Sequence, residues 1–220
     1  SRQLGALGIQ WDRFPAIIPA TLVPPRDSIH WQRWQRPLSD AEKAASASHR
    51  AVWKIVAQGA SPVLVLEDDA LLMPTAVELL ARLDAAAGID HVTLETRGRA
   101  KLVGRRYPNL PLVRLWQDYS GAAAYVLWPG GARKLIARAD RSAGIADAII
   151  CAAYDLASWQ SDPALAIQID QCGSHGMTPP IPVTTSIGRI DRSIYAGLSR
   201  PAYLVYRHRR IVAQIRMALR

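Results

Sequence analysis

The sequence is poor in the residues that staple small domains together. Its 220 residues include only two cysteines, Cys151 and Cys172, and their separation fits neither a zinc motif nor a disulfide framework. Such sparse use of cysteine fits a reducing compartment, with both thiols packed as small hydrophobes. Apolar runs are also short, because none approaches the ~20 residues that a membrane span needs, and no signal peptide opens the chain. We therefore expect a cytoplasmic protein, either soluble or peripheral on the inner membrane.

The chain also has fewer acidic than basic residues, and this imbalance is concentrated at its C-terminal end. The sequence has 27 Lys and Arg against 18 Asp and Glu, a net charge of +9. From residue 189 onward there are eight arginines and one aspartate, so this segment alone carries +7. Charge concentrated on one tail, without a recognition motif, argues against a nucleic-acid-binding protein.

The last 20 residues predict a basic amphipathic helix on a helical wheel. Such a helix fits adsorption to an anionic membrane surface, and the alternative is a helix docked on the domain with its arginines in water. The aliphatic arc consists of Leu204, Ile211, Val212, Ile215 and Leu219, and the opposite arc of Arg207, Arg209, Arg210, Arg216 and Arg220.

Half of the residues are apolar, which is enough for one core at this length. We expect one domain over residues 1–190 and a basic tail over 191–220. The opening SRQLGALGIQ resembles the end of an amphipathic helix. Because a nucleotide-binding sheet normally begins with a strand, we expect a further N-terminal segment to precede it.

Short apolar strands alternate with helical stretches, which predicts an α/β domain. The run Val63-Leu64-Val65-Leu66 is typical of a central parallel strand covered on both faces. Thr75 and Glu78 form a capping-box signature that opens a helix. The other predicted strands are 91–94, 110–116 and 122–128, the predicted helices are 41–57, 75–88, 129–139 and 145–159, and the predicted loops are 97–109 and 173–182.

Three acids, Glu67, Asp68 and Asp69, directly follow the first predicted strand. Alternation along an extended backbone places Glu67 and Asp69 on one side and Asp68 on the other. Crowded carboxylates repel each other, and a hard cation such as Mg²⁺ or Mn²⁺ removes that cost. Ligands in open α/β sheets also bind beyond the carboxyl ends of strands. A solvated strand end with acids that cap the next turn is the alternative.

Several motifs around this triplet resemble those of bacterial family 25 glycosyltransferases, which assemble lipooligosaccharide and lipopolysaccharide. VLVLEDD stands at the distance expected after the first helix, SGAAAYVLWPGGARKLI resembles a second family motif, and LGIQWDRFPAI and Thr185-Ser186-Ile187 resemble its opening and closing segments. The resemblance spans most of residues 4–190. The matching positions are Leu38, Ser39, Glu42, Ser48, His49 and Trp53 in the first helix, and Gly121, Tyr125, Gly131, Ala132, Lys134 and Leu135 in the second motif.

The sequence departs from the family pattern at three places. Ala44-Ala45 replaces a Gly-Cys pair, Ala47 replaces a leucine, and Ile18-Pro19 replaces an Asp-Gly. The last change affects the region expected to hold the nucleobase of the nucleotide-sugar donor. A catalytically silent relative that binds sugar nucleotide or glycan is therefore the alternative to an enzyme.

The resemblance implies a GT-A-like, Rossmann-type nucleotide-sugar-binding domain with a mostly parallel sheet, a UDP-sugar donor, often UDP-galactose, and inversion at the anomeric carbon. It implies Mn²⁺ or Mg²⁺ held by Asp69 and Glu67, with Asp68 on ribose or on a metal-bound water. Ser48, His49, Gly121 and Tyr125 are the further donor-site candidates, although His49 also fits a structural role and Tyr125 the core.

An inverting transfer also needs a general base. Asp147 is our first candidate and Asp155 the reserve, while a first-turn helix acid is the alternative for Asp147. His175 could ligate metal or phosphate from its loop. The partners implied are a nucleotide-sugar donor and a glycan or glycolipid acceptor, without nucleic acid. An anionic acceptor could contact the basic loop of Arg97, Arg99, Lys101, Arg105 and Arg106, for which a solvated loop is the alternative.

Overall fold

The computed structural model describes residues 2–32, 34, 37–95, 101–118 and 121–182, and residues 201, 204, 205, 208, 211, 212 and 215 near the C-terminus. Its helices are α1 (Arg2–Ala6), α2 (Ile29–Gln32), α3 (Asp40–Gln58), α4 (Ala76–Leu83), α5 (Pro129–Arg141) and α6 (Ala146–Ala152), with 3₁₀ turns at Pro19–Thr21 and Ile169–His175. Its strands are β1 (Val63–Leu66), β2 (Ala70–Leu72), β3 (His91–Thr93), β4 (Leu102–Arg106), β5 (Leu112–Gln117), β6 (Ala124–Leu127), β7 (Ser158–Ser161) and β8 (Ala166–Gln168).

Helices and strands alternate as expected for an α/β domain, but the sheet is not mostly parallel. Six strands run in the order β1-β6-β3-β7-β5-β4. Only β3 and β7 pair in parallel, and the other four neighbouring pairs are antiparallel. The predicted parallel sheet is therefore wrong. A short turn returns the chain from β4 to β5, and such direct returns produce antiparallel pairs.

The strand that precedes the acids, β1, differs from its prediction. Among the described residues it pairs only with β6, in antiparallel register from Val63↔Leu127 to Leu66↔Ala124. Val65 is buried, whereas Val63 is 41% exposed. The prediction of a central parallel strand was wrong because a four-residue apolar run specifies burial of a side chain but not the partner of its backbone.

Helix α3 forms as predicted, with both ends defined by the sequence. Ser39 Oγ accepts from Glu42 N at 3.2 Å, and Glu42 Oε2 accepts from Ser39 N at 2.9 Å. This capping box satisfies backbone donors that a helix start otherwise leaves open. The helix ends at Gln58, close to the predicted residue 57, and Gly59 is its C-cap. Its buried face carries Trp53 and Val56, while Ile55 is exposed.

Four local predictions fail in the structure. Thr75 makes no side-chain cap, because its backbone is already helical at φ −69° and ψ −8°, and α4 ends at Leu83 rather than near residue 88. The helix predicted over 145–159 stops at Ala152, and Trp159 lies in β7, where pairing with β3 and β5 overrides local helical periodicity. Residues 102–106 of the predicted basic loop form β4.

Hydrophobic cores cover both faces of the sheet. Helices α3, α5 and α6 pack on one face around Trp53, Tyr125 and Leu135, all at most 1% exposed. Helix α4 packs on the other face, near Val92 and Trp159. Burying each large aliphatic or aromatic side chain contributes about 1.5–3 kcal/mol. This packing holds the strand ends in place, and with them the polar side chains that follow the strands.

The described part of the C-terminal segment is helical, in agreement with the wheel. Leu204, Ile211 and Ile215 are 64%, 47% and 53% exposed, and Val212 is half-buried. Leu219 and the arginines of the predicted basic arc lie outside the described residues. Across the described ranges, no helix is both long enough and apolar enough to span a bilayer.

Candidate active site

The three acids lie in a tight turn between the main sheet and a small ribbon. Ala70 N donates to Glu67 O at 3.2 Å, which closes the turn between β1 and β2. Strand β2 then pairs with β8 outside the main sheet. Asp68 is exposed, whereas Glu67 and Asp69 are half-buried.

Glu67 and Asp69 face the same neighbour, as strand alternation predicts. Gln168, at the end of β8, donates from Nε2 to Asp69 Oδ2 at 3.1 Å and to Glu67 Oε2 at 3.4 Å. Asp69 Oδ1 is buried and has no hydrogen-bond partner among the described residues. The pair is therefore only partly satisfied, and Gln168 is a site residue that no sequence motif identified.

The other oxygen of Glu67 belongs to a buried relay. His49 Nε2 lies 2.9 Å from Glu67 Oε1, and His49 Nδ1 lies 2.9 Å from the Tyr125 hydroxyl. Trp53 Nε1 donates to the same hydroxyl at 2.8 Å. His49 and Trp53 are four residues apart on α3 and therefore share its buried face. The structure thus brings together three of the positions that carry the family resemblance.

The contacts of this relay are all satisfied by one tautomer of His49. The indole N–H of Trp53 can only donate, so the Tyr125 hydroxyl accepts from it and keeps its own proton to donate to His49 Nδ1. In this tautomer His49 donates from Nε2 to Glu67 Oε1. The relay thus orients the Glu67 side chain.

Burial shifts two pKa values at this site. The pKa of Asp69 is raised above its ordinary value of 3.8, first by desolvation and then by the charge of Glu67. Gln168 opposes the shift, and Asp68 and Asp170 add to it. Burial also raises the pKa of Tyr125, with a small contribution from Glu67, so its hydroxyl stays protonated. The site therefore holds an excess of negative charge that a cation would relieve.

Gly121 belongs to the loop that borders the acid turn. Two residues later, Ala123 O accepts from Glu67 N at 2.8 Å, and Ala123 N donates to Glu95 Oε1 at 2.8 Å. Glu95 follows β3 and is 1% exposed. It was missed, although a glutamate directly after an apolar strand is the same signal that identified Glu67.

Ser48 has a structural position beside the site. Its Oγ accepts from Ile17 N at 2.9 Å and donates to Ala44 O at 2.9 Å. It thereby fastens the N-terminal segment to α3. The structure does not join Ser48 to the relay, and its donor-binding role stays a prediction.

The base candidates lie on other elements. Asp147 is in the first turn of α6, and its Oδ1 accepts from Ala148 N at 2.7 Å, the contact of a first-turn helix acid. Asp155 and His175 are exposed. His175 ends the 3₁₀ turn whose first residue, Ile169, donates from N to Asp69 O at 2.9 Å. Catalysis by Asp147 or Asp155 and ligation by His175 stay predictions.

The basic segment is only partly a loop. Arg97 and Arg99 lie outside the described residues, Arg105 and Arg106 are in β4, and Arg106 pairs with Asp162 at 2.9 Å. Lys101 pairs with Asp118 at 3.1 Å. The two described ion pairs already occupy cations that we had assigned to an anionic acceptor.

The residues at the turn fit a metal that is shared with a ligand. Within the described ranges, no three His, Cys, Asp or Glu side chains are grouped as a complete metal site. Mg²⁺ in phosphate-binding sites commonly takes only one or two carboxylates, together with water and phosphate oxygens. Asp69, with its unpartnered Oδ1, and Glu67 could supply those two. No arginine of the described residues neutralises them.

Comparison with known proteins supports the resemblance. The family model of glycosyltransferase family 25 (LPS biosynthesis protein) matches residues 1–150. That span includes α3, the acid turn, the Gly121 loop and Tyr125. No curated protein matches the chain. Since the family model covers more than half of its length, the chain belongs to glycosyltransferase family 25.

Proposed function

We propose that the chain transfers a hexose, with galactose as the first expectation, from a UDP-sugar to a lipooligosaccharide, lipopolysaccharide or related glycan acceptor. The observation that carries this proposal is the under-neutralised pair of Asp69 and Glu67 at the end of β1. Such a pair is costly for the fold and suited to a ligand that brings a cation. A GT-A-like donor site at this strand end is part of the same proposal.

Asp69 and Glu67 would hold Mn²⁺ or Mg²⁺, which supplies Lewis-acid neutralisation of the departing diphosphate. The protein's own part is orientation. Gln168 positions Asp69, and the chain from Trp53 through Tyr125 and His49 fixes Glu67. Asp68, exposed on the other side of the turn, would contact ribose or a metal-bound water. Groups already held in place cost no reorganisation during the reaction.

The reaction expected from the family is an inverting single displacement. The acceptor hydroxyl attacks the anomeric carbon while the bond from that carbon to the diphosphate oxygen breaks. A base removes the hydroxyl proton, and Asp147 is our first candidate, with Asp155 in reserve. In the Asp147→Asn variant we expect transfer to fall while UDP binding is retained.

The test is turnover of a panel of UDP-sugars with Mn²⁺, Mg²⁺ or EDTA. Asp69→Asn should abolish metal-dependent turnover, whereas Asp84→Asn, an exposed acid at the end of α4, should leave it unchanged. Turnover that is independent of metal and insensitive to Asp69→Asn would contradict the mechanism. UDP binding without turnover of any donor would favour the alternative, a catalytically silent relative that binds sugar nucleotide or glycan.

A peripheral position at an anionic membrane is a second proposal. Eight arginines against one aspartate from residue 189 onward, together with the exposed Leu204, Ile211 and Ile215, support it. Liposome flotation with and without residues 201–220 tests it. We expect the full chain to float with anionic vesicles and the truncated chain to remain behind. Equal flotation of both would contradict the proposal.

A further inference from the structure

A second cleft lies on the α6 side of the sheet, at the end opposite to the acid turn. His91, at the start of β3, pairs with Leu127, whereas Glu67 follows Leu66, which pairs with Ala124 at the other end of β6. The cleft is shallow, with a cavity volume of about 50 Å³, and is open to solvent. Its polar and aromatic lining includes His91, Arg114, Trp116, Asp118, Tyr154 and Ser158.

Arg114 is the fixed cation of this cleft. It donates from Nη1 to Leu115 O at 3.1 Å and to Ser158 O, and from Nη2 to Leu156 O at 3.1 Å. Its guanidinium lies over the Trp116 ring at 4.6 Å from the centroid. These contacts immobilise the group but use only three of its five N–H donors. The remaining donors can serve a ligand at little further cost in entropy.

No carboxylate of the described residues pairs directly with Arg114. Within the described residues it forms no ion pair, and burial lowers its pKa, with Arg105 acting in the same direction and Asp90 opposing. Asp118 lines the cleft but is held by Lys101, whose Nζ lies 3.1 and 3.2 Å from its two oxygens. Among the described residues of the cleft, Arg114 is therefore a cation without an ion-pair partner.

His91 supplies a neutral polar group beside that charge. Its side chain is 3% exposed, and its Nδ1 has no hydrogen-bond partner among the described residues. Burial lowers the pKa of His91 to about 4, assisted by Lys101 and opposed by Asp118 and Asp90. The imidazole is thus uncharged near neutral pH, and its buried Nδ1 lies at the base of the cleft without a described partner. Buried polar groups without partners are uncommon in proteins.

We propose that this cleft binds an anionic saccharide, with Arg114 holding a carboxylate or phosphate and His91 a neighbouring hydroxyl. The anion site rests on Arg114 and the cleft alone. That the rest of the ligand is a sugar rests on the proposed glycosyltransferase function, for which the cleft would hold part of the acceptor. A flat guanidinium with two spare N–H donors matches either anion.

The experiment is binding of three probes by calorimetry: glucuronate, glucose 6-phosphate and glucose. We expect at least one of the two anions to bind at least tenfold more tightly than glucose. Tighter glucuronate binding would identify a sugar acid, and tighter glucose 6-phosphate binding a phosphate ester. Asp69→Asn should not alter this binding, so a failure of the proposed transfer mechanism can be told apart from a failure of the anion site.

Variants locate the site. Arg114→Gln should weaken anion binding at least tenfold, while Arg133→Gln, an arginine on α5 that also donates to a backbone carbonyl, should not. Because Arg114→Gln loses three backbone contacts and could misfold, Tyr154 provides a second test. It is 38% exposed at the cleft, and Tyr154→Glu should weaken anion binding more than Tyr154→Gln does. Equal anion affinity in these two variants, or no preference for anions over glucose, would overturn the proposal.

Discussion

Asp90 and Asp69 both lie at ends of sheet strands, yet the fold treats them differently. Asp90 Oδ2 accepts from Lys134 Nζ at 2.6 Å and from Ala157 N at 2.8 Å. Its backbone packs against α5 so closely that a Cβ on Gly131 would lie 2.3 Å from Asp90 O. Gly131 and Lys134 both belong to the motif that resembles the family's. In the structure Gly131 allows α5 to pack closely against Asp90, and Lys134 pairs with its carboxylate.

Asp69 has no comparable support. Its one described side-chain partner is the Gln168 amide, its Oδ1 is unpartnered, and Glu67 and Asp68 add negative charge nearby. The chain can pair a strand-end carboxylate with a lysine and a backbone N–H, as Asp90 shows. The contrast with Asp69 is the basis of our proposal that Asp69 serves a ligand and not stability.

The largest expected effects separate these two aspartates. Asp69→Asn should lower turnover at least about 10²-fold, the scale seen when a charge-stabilising group is lost, while leaving the protein as stable or more stable. Asp90→Asn should destabilise the fold by about 2 kcal/mol, since a charged hydrogen-bond acceptor is lost. Initial rates and urea unfolding check both. Equal destabilisation by the two substitutions would break the comparison.

Tyr125→Phe tests whether the relay belongs to the site. It removes the acceptor of Trp53 Nε1 and the partner of His49 Nδ1, so we expect a loss of about 1–3 kcal/mol in unfolding free energy. Turnover should also fall, because Glu67 loses its orientation. Tyr107→Phe is the matched control, since that hydroxyl donates to the exposed Ala87 O at 2.8 Å. Loss of stability with unchanged kcat and KM would assign Tyr125 to the core alone.

A smaller effect is expected in the pH dependence of stability. Because the folded state raises the pKa of Asp69, the folded protein holds a proton that the unfolded chain has already lost. The protonated Asp69 side chain therefore contributes stability that is fully present below pH 3.8. That contribution is lost as the pH rises through the raised pKa of Asp69.

The Tm of wild type should thus fall relative to that of Asp69→Asn as pH increases above 3.8. Mn²⁺ with UDP should raise the Tm of the wild type more at neutral pH than at acid pH. Thermal scans across pH measure both curves. A Tm difference that is constant with pH would show that ionisation of Asp69 does not destabilise the folded protein.

The smallest effect belongs to Asp68, the exposed member of the turn. Asp68→Asn should raise the KM for the donor several-fold, with little change in kcat or Tm, because an exposed carboxylate contributes little to stability. Steady-state kinetics with the preferred donor decide this. A loss of kcat as large as that of Asp69→Asn would move Asp68 into the metal-holding role.

The sequence was sufficient where local chemistry determines the structure. The helix predicted over 41–57 lies within α3, and the helix predicted from Pro129 begins at that residue as α5. Alternation at the strand end placed Glu67 and Asp69 on a common partner. These features depend on neighbours within a few residues.

The remaining features depend on residues distant in the chain. The antiparallel pairing of β1 with β6 and the entry of Trp159 into β7 are set by the sheet, which no short window encodes. Gln168 approaches Asp69 across 99 positions. Thr75 is a local signal that failed: the capping-box pattern is present in the sequence, but the backbone of Thr75 is already helical and its side chain makes no cap.

The central claim is that Asp69 is left unsatisfied so that it can share a cation with a diphosphate. Titration of Mn²⁺ into the protein with saturating UDP tests it most directly, in wild type, Asp69→Asn and Asp84→Asn. We expect Mn²⁺–UDP binding in wild type and Asp84→Asn, and a loss of at least about tenfold in affinity in Asp69→Asn. Equal Mn²⁺–UDP affinity in all three proteins would contradict it.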